Sequence, residues 1–237
     1  MPSNSIKTSL RLAHYYHIYN RGNNEERLFL RPEHYLYFME KYMEIIHPSV
    51  STFAFCLIPN HFHFLLRIDS LDPKSTIKEP SHMFRRFFQQ YSVWFNTKER
   101  RRGSLFTKYF RRIEIDSEDY LRRLVCYIHW NPVKHGISKD FRNYQYSSYQ
   151  FFTNLNKTFI ARDEVISWFN HDLSEFFIYH NLDGEISDLG PLGFDEHWLL
   201  VKIDFFLWRV SNPQGWKPCF ININFNTFDS KDYYYLS

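Results

Sequence analysis

Glycine is scarce in this chain, at 7 of 237 residues, and cysteine scarcer still, at 3. A composition so poor in glycine excludes collagen-like and fibrous classes. Cys56, Cys126 and Cys219 are odd in number and far apart, so they build neither a disulfide framework nor a paired CxxC zinc knuckle, and a reducing cytoplasm is the expected setting. No stretch approaches the roughly 18 uninterrupted apolar residues of a membrane span. Residues 1–13 lack the apolar core of a secretory signal. No internal repeat or low-complexity tract breaks the chain.

What is present is a globular composition with two unusual features. Apolar residues make up 44% and charged ones 23%, but aromatic residues alone reach 20%. The formal net charge of +3 is an average of opposites: residues 1–159 carry +10 and residues 160–237 carry −7. A basic body joined to an acidic tail predicts a nucleic-acid face on the first part only. The expected division is a catalytic domain over 1–155 and an acidic, aromatic-rich extension over 156–237.

Along the chain, β-forming residues over 14–20 lead into an Arg-Gly-Asn-Asn loop. Residues 31–46 have the spacing of an amphipathic helix opened by a proline. Two strands follow, 49–58 and 61–68, hinged at Pro59-Asn60. A long helix over about 81–99, a strand near 109–113 and a helix over about 117–130, closing at Asn131-Pro132, complete the body. Short helices are expected over 162–171 and near 173–180. This order predicts an α+β fold, a ferredoxin-like antiparallel sheet with helices packed on one face, plus a C-terminal extension.

Three groups of residues could carry chemistry. His61 and His63 lie two apart on a strand, so both rings share one face, with Phe62, Phe64 and Leu66 on the other. Paired imidazoles are half a metal site, although an arbitrary His-x-His is more often two partly buried strand residues. Tyr127 and Asn131 are i and i+4 on a helix and share its face, while His129 points elsewhere. A phenol there could be a nucleophile and an amide oxygen a ligand, but spacing alone favours the ordinary roles, Tyr127 in packing and Asn131 as a helix-terminal residue before Pro132. Residues 84–112 hold nine cations and one acid among nine aromatic rings. Cations neutralise phosphates and exposed rings stack on unpaired bases, whereas Phe84, Phe87, Phe88, Tyr91 and Phe95 also have helical core spacing.

Taken in order, Asn20-Arg21-Gly22-Asn23-Asn24, Pro59-Asn60-His61-Phe62-His63, Ser104-Leu105-Phe106 and the run from Tyr127-Ile128-His129-Trp130-Asn131-Pro132 to Gly136 resemble single-tyrosine HUH transposases. The likeness is to the REP-associated branch and covers about residues 14–150. It implies that His61 and His63 are metal ligands, Tyr127 the catalytic nucleophile and Asn131 the third ligand. It further implies a divalent ion, Mg²⁺ or Mn²⁺, and a single-stranded, hairpin-forming DNA substrate cut through a 5′-phosphotyrosine. Candidate DNA contacts are Arg21, Arg85, Arg86, Arg100, Arg101, Arg102, Lys108, Arg111, Arg112 and Lys134. The expected place is the bacterial cytoplasm, at the nucleoid and not at a membrane, with monomer and homodimer both open. The acidic tail outruns the compact domain of the family and is given no role.

Three other readings stand beside this one; of these, a tyrosine recombinase acting without metal would need an Arg/His catalytic set and would leave the paired histidines unexplained. A domesticated descendant would keep the hairpin-binding surface and lose cleavage, which the presence of His61, His63, Tyr127 and Asn131 disfavours. A replication-initiator or relaxase-type enzyme would arrange nucleophile and ligands differently.

Overall fold

Period-two alternation organises the body of the protein. In the computed structural model, which describes residues 9–72, 76, 79–154 and 157–181, β1 (Tyr15–Arg21), β2 (Val50–Ile58), β3 (His61–Ile68) and β4 (Arg111–Ile115) form one sheet. The strand order is β2-β3-β1-β4, and every neighbouring pair is antiparallel. With α1 (Pro32–Ile45) between β1 and β2 and α2 (Pro80–Lys98) between β3 and β4, this is the ferredoxin-like arrangement.

One face of the sheet is aromatic. Phe62 and Phe64 pack on Phe38 and Tyr42 of α1, and Phe62 also meets Phe88 of α2. Tyr91 of α2 donates its hydroxyl hydrogen to the Leu28 carbonyl at 2.6 Å, fixing the helix to the preceding loop. Rings of this size bury large apolar areas, and truncating one such as Phe62 to alanine costs about 3–5 kcal/mol.

The opposite face carries the histidines and is covered by α3 (Glu118–Lys134), so the helices lie on both faces of the sheet rather than on one. The reason is the alternation itself. With His61, His63, His17 and Tyr19 turned away from α1 and α2, a second apolar layer must shield them from water. Short helices α4 (Gln150–Thr153), α5 (Arg162–Ser167) and α6 (Leu173–Asn181) complete that layer.

Helix α3 begins where Ser117 accepts a hydrogen bond from the Tyr120 backbone, with Glu118 and Asp119 in the first turn. It runs past Asn131-Pro132 to Lys134, three residues beyond the expected stop. Pro132 lies inside the helix and removes the backbone bond that residue 132 would give to the Ile128 carbonyl, yet the helix continues for two more residues. The helix ends instead at Gly136, whose φ of 64° supplies the left-handed cap. Strand β4 likewise starts two residues later than expected, at Arg111, because its pairing register is set by β1.

Residues 157–181 pack on the same body. Ile160 bridges Thr52, and Glu164 pairs with Arg67 at 2.5 Å and accepts from the Tyr15 hydroxyl. Trp168 lies against Tyr15 and Phe53. The packed body thus includes residues beyond the expected division at 155/156. The remainder of the acidic tail, residues 182–237 with Cys219, lies outside the described residues.

Candidate metal and nucleophile site

Antiparallel pairing of β1 with β3 sets Tyr19 beside His63 and Arg21 beside His61. Both β3 histidines are buried, and their rings meet edge to face at 5.1 Å. Each is held at the same ring atom. His61 Nδ1 lies 2.8 Å from Asn60 Oδ1, and His63 Nδ1 lies 2.9 Å from His17 Nε2. Burial holds the pKa of both well below the usual imidazole value; for His61 the charge of His135 adds to this, and for His63 that of His17. Both are therefore neutral at pH 7, the form that offers a lone pair to a metal.

Tyr127 reaches this pair from α3, its ring edge-on to His63 at 5.7 Å. Burial pushes its phenol above the ordinary value near 10, and a hydrogen bond with Asn131 works against that rise. Asn131, one turn on, donates from Nδ2 to the Tyr127 carbonyl at 3.0 Å. Its Oδ1 is buried and, among the described residues, accepts no well-aligned hydrogen bond, while the amide acts on the protonation of both His61 and Tyr127. A buried carbonyl oxygen left in this state beside two neutral imidazoles is a donor set that fits a divalent cation. Asn131 is an interior helical residue here, not a terminal one.

His129 points away from the site, as its spacing from Tyr127 predicts. Its Nδ1 lies 2.8 Å from His180 Nε2 and its Nε2 2.8 Å from Ser148 Oγ, a buried chain that joins α3 to α6 and, through Ser148, to the β2 backbone at Phe55.

The ten candidate cations divide. Arg21 acts on the charge of His61, Arg111 lies over the Tyr19 ring, and Lys134 Nζ stands 4.4 Å from the Tyr127 ring centre. These three surround the site. Arg85 pairs with Glu79, Arg86 with Asp72, and Arg112 packs over Phe110 on the α2 side of the sheet. Arg101 is engaged by Glu26, Asn96 and the carbonyls of Gly103 and Ser104, so it organises the turn after α2. Arg100, Arg102 and Lys108 are exposed. Of the rings in 84–112, Phe84, Phe87, Phe88, Tyr91, Phe95 and Phe106 are core, and Tyr109 is the one largely exposed, at 54%.

A second cluster of potential ligands, Glu33, His34 and Glu99, lies where α1 begins and α2 ends. Arg31 and Lys98 already neutralise its carboxylates, and His34 accepts from the Arg31 backbone while its other nitrogen meets Glu99 at 3.0 Å. It is a junction between helices.

Sequence reasoning missed His17, Tyr19, Asn60 and His135, whose ring stands 4.6 Å from that of His61. For His17 and Tyr19 a signal existed: alternation along β1 puts them on one face, but only the strand order identifies it as the histidine face.

Comparison with known proteins adds three findings. No family model matches the chain. A REP-associated tyrosine transposase of Haemophilus influenzae is 29% identical over 108 residues, 44% of this chain and 61% of that protein, so the match spans less than two thirds of the relative. The solved structure of a REP-associated tyrosine transposase bound to a REP hairpin superposes with a TM-score of 0.51 at 16% identity, covering 62% of this chain and 83% of the other. In sequence over part of its length, and in fold over a larger part, the chain resembles REP-associated tyrosine transposases.

Proposed function

We propose that this chain is a transposase of the REP-associated type, which cleaves and rejoins single-stranded DNA at hairpin-forming sequences through a 5′-phosphotyrosine on Tyr127. The observation that carries the reading is the meeting of Tyr127 with His63, His61 and Asn131 from two separate motifs on one covered face. The hairpin as partner is taken from the structural neighbour, which was solved bound to one.

His61, His63 and Asn131 would hold a divalent cation, Mg²⁺ or Mn²⁺. Bound there, it supplies Lewis-acid polarisation of the scissile phosphate and favours the phenolate. Tyr127 Oη attacks phosphorus in line, forming the Oη–P bond as the bond to the 3′ oxygen breaks. The phenol proton leaves to solvent, and the departing 3′ oxygen takes one up. The phosphodiester energy stays in the tyrosyl link, so an incoming 3′-OH can reverse the step and join strands without a nucleotide cofactor. Arg21, Arg111 and Lys134 neutralise phosphates flanking the break. The catalytic unit is placed in 1–155, with 156–237 as an extension, and the protein acts in the cytoplasm on nucleoid DNA.

The test is incubation of the full chain with single-stranded oligonucleotides from the DNA flanking its gene, with Mn²⁺, followed by denaturing electrophoresis. A protein–DNA band that vanishes in Tyr127→Phe and in EDTA supports the reading. Hairpin binding with no adduct under any metal makes the protein a binding module instead.

A further inference from the structure

The two β3 histidines are gripped through the same atom by different partners, and the difference is informative. Asn60 Oδ1 is a carbonyl oxygen and can only accept, so the proton of neutral His61 sits on Nδ1 and its Nε2 keeps a lone pair. For His63 the partner is another imidazole, which can donate or accept. If His17 donated, His63 would have to carry its own proton on Nε2 and could not ligate. If His17 accepts, His63 takes the same form as His61.

The second arrangement is the one that gives both β3 histidines the same form, with Nδ1 donating to a neighbour and Nε2 turned to the site. His17 is fully buried on β1, stacked on Tyr19 at 4.7 Å and edge-on to Tyr127 at 6.4 Å, so its ring is fixed among the groups of the site. A fully buried histidine is an expensive choice for packing alone. Resting on the metal-site reading above, we propose that His17 is a positioning residue: it accepts the Nδ1 proton of His63 and thereby presents His63 Nε2 to the divalent cation. Asn60 performs the same service for His61. Partners of this kind typically strengthen metal binding by about 10–100-fold.

The test uses the full chain labelled with ¹⁵N-histidine. Long-range ¹H–¹⁵N spectra without metal report which nitrogen of each neutral ring is protonated, with His63 assigned from its absence in His63→Asn. The expected result is an Nδ1–H form for His63 in the wild-type chain and a shift toward Nε2–H in His17→Phe. In parallel, Mn²⁺ titrations followed by electron paramagnetic resonance, without DNA, should show His17→Phe weakened by about 10–100-fold. His17→Gln, whose amide oxygen can accept the same proton, should stay near the wild-type affinity. Circular dichroism of both variants checks that the fold is retained, and the wild-type spectrum needs no variant fold at all. An Nε2–H form of His63 in the wild-type chain overturns the proposal, as does unchanged Mn²⁺ affinity in folded His17→Phe. A wild-type chain that binds no Mn²⁺ overturns the metal-site reading, and the tautomer of His63 still decides the direction of the His17 bond.

Discussion

Lys134 holds its ammonium over the ring of Tyr127, 4.4 Å from the centroid and two helical turns further along the same face of α3. A cation in that position fixes the ring and favours its anion. Replacing Lys134 by Met should slow adduct formation about fivefold to tenfold, the equivalent of about 1 kcal/mol. Lys134→Arg should keep most of the rate. Single-turnover kinetics at saturating DNA separate this from any loss of binding, and an unchanged rate in Lys134→Met would remove the lysine from the chemistry.

Asn131 both donates to the Tyr127 carbonyl and turns its buried Oδ1 toward the site. Asn131→Ala should lower stability by only about 1 kcal/mol, the worth of one hydrogen bond. Its larger effect should be on the Mn²⁺ concentration needed for cleavage, which rises at least tenfold if the amide is a ligand. Metal titration of cleavage together with urea unfolding checks both halves.

Gly22 follows β1, donating its backbone N–H to the Asn60 carbonyl at 2.8 Å. A Cβ at this position would stand 1.9 Å from the Glu26 carbonyl oxygen, a backbone atom that cannot swing aside. Gly22→Ala should therefore destabilise the protein by about 2–3 kcal/mol, in the upper range of single substitutions. Because this loop clasps the Pro59-Asn60 turn, cleavage should fall as well. A melting temperature within a degree of wild type would contradict this.

His180 is buried against His129, and burial lowers its pKa to about 4. The unfolded chain, with an imidazole near 6.5, takes up a proton first as the solution acidifies. The contribution of this residue is whole above pH 6.5 and is lost as pH falls toward 4, at up to about 1.4 kcal/mol per pH unit. Urea unfolding of His180→Phe across that range should show a shallower acid slope than wild type, even if the variant is weaker at neutral pH. Equal slopes would show that His180 is not held neutral.

Most of the sheet was legible because alternation and turn residues are local signals: β3 occupies residues 61–68 as read, β1 shifts by one residue at both ends, and β2 starts one residue later. The second helical layer was not, since the order of elements does not say on which face α3 returns. Only the burial demand of His17, Tyr19, His61 and His63 decides that. The His61-Phe62-His63 and Tyr127–Asn131 motifs were legible as pairs, but their meeting is a tertiary fact. The basic stretch was misleading in part, because the charge of Arg101 is consumed by Glu26 from a distant loop and that of Arg86 by Asp72. The rings of 84–110 that could have stacked on bases are mostly core.

Tyr19 and Tyr120 lie close enough to Tyr127 to raise its pKa, so three phenols compete for the role of nucleophile. Mass spectrometry of the protein after cleavage with Mn²⁺ and nuclease trimming of the adduct separates them. The prediction is a nucleotide phosphate on the peptide containing Tyr127 and on no other. A nucleotide on Tyr19 or Tyr120, or an adduct that persists in Tyr127→Phe, would contradict it.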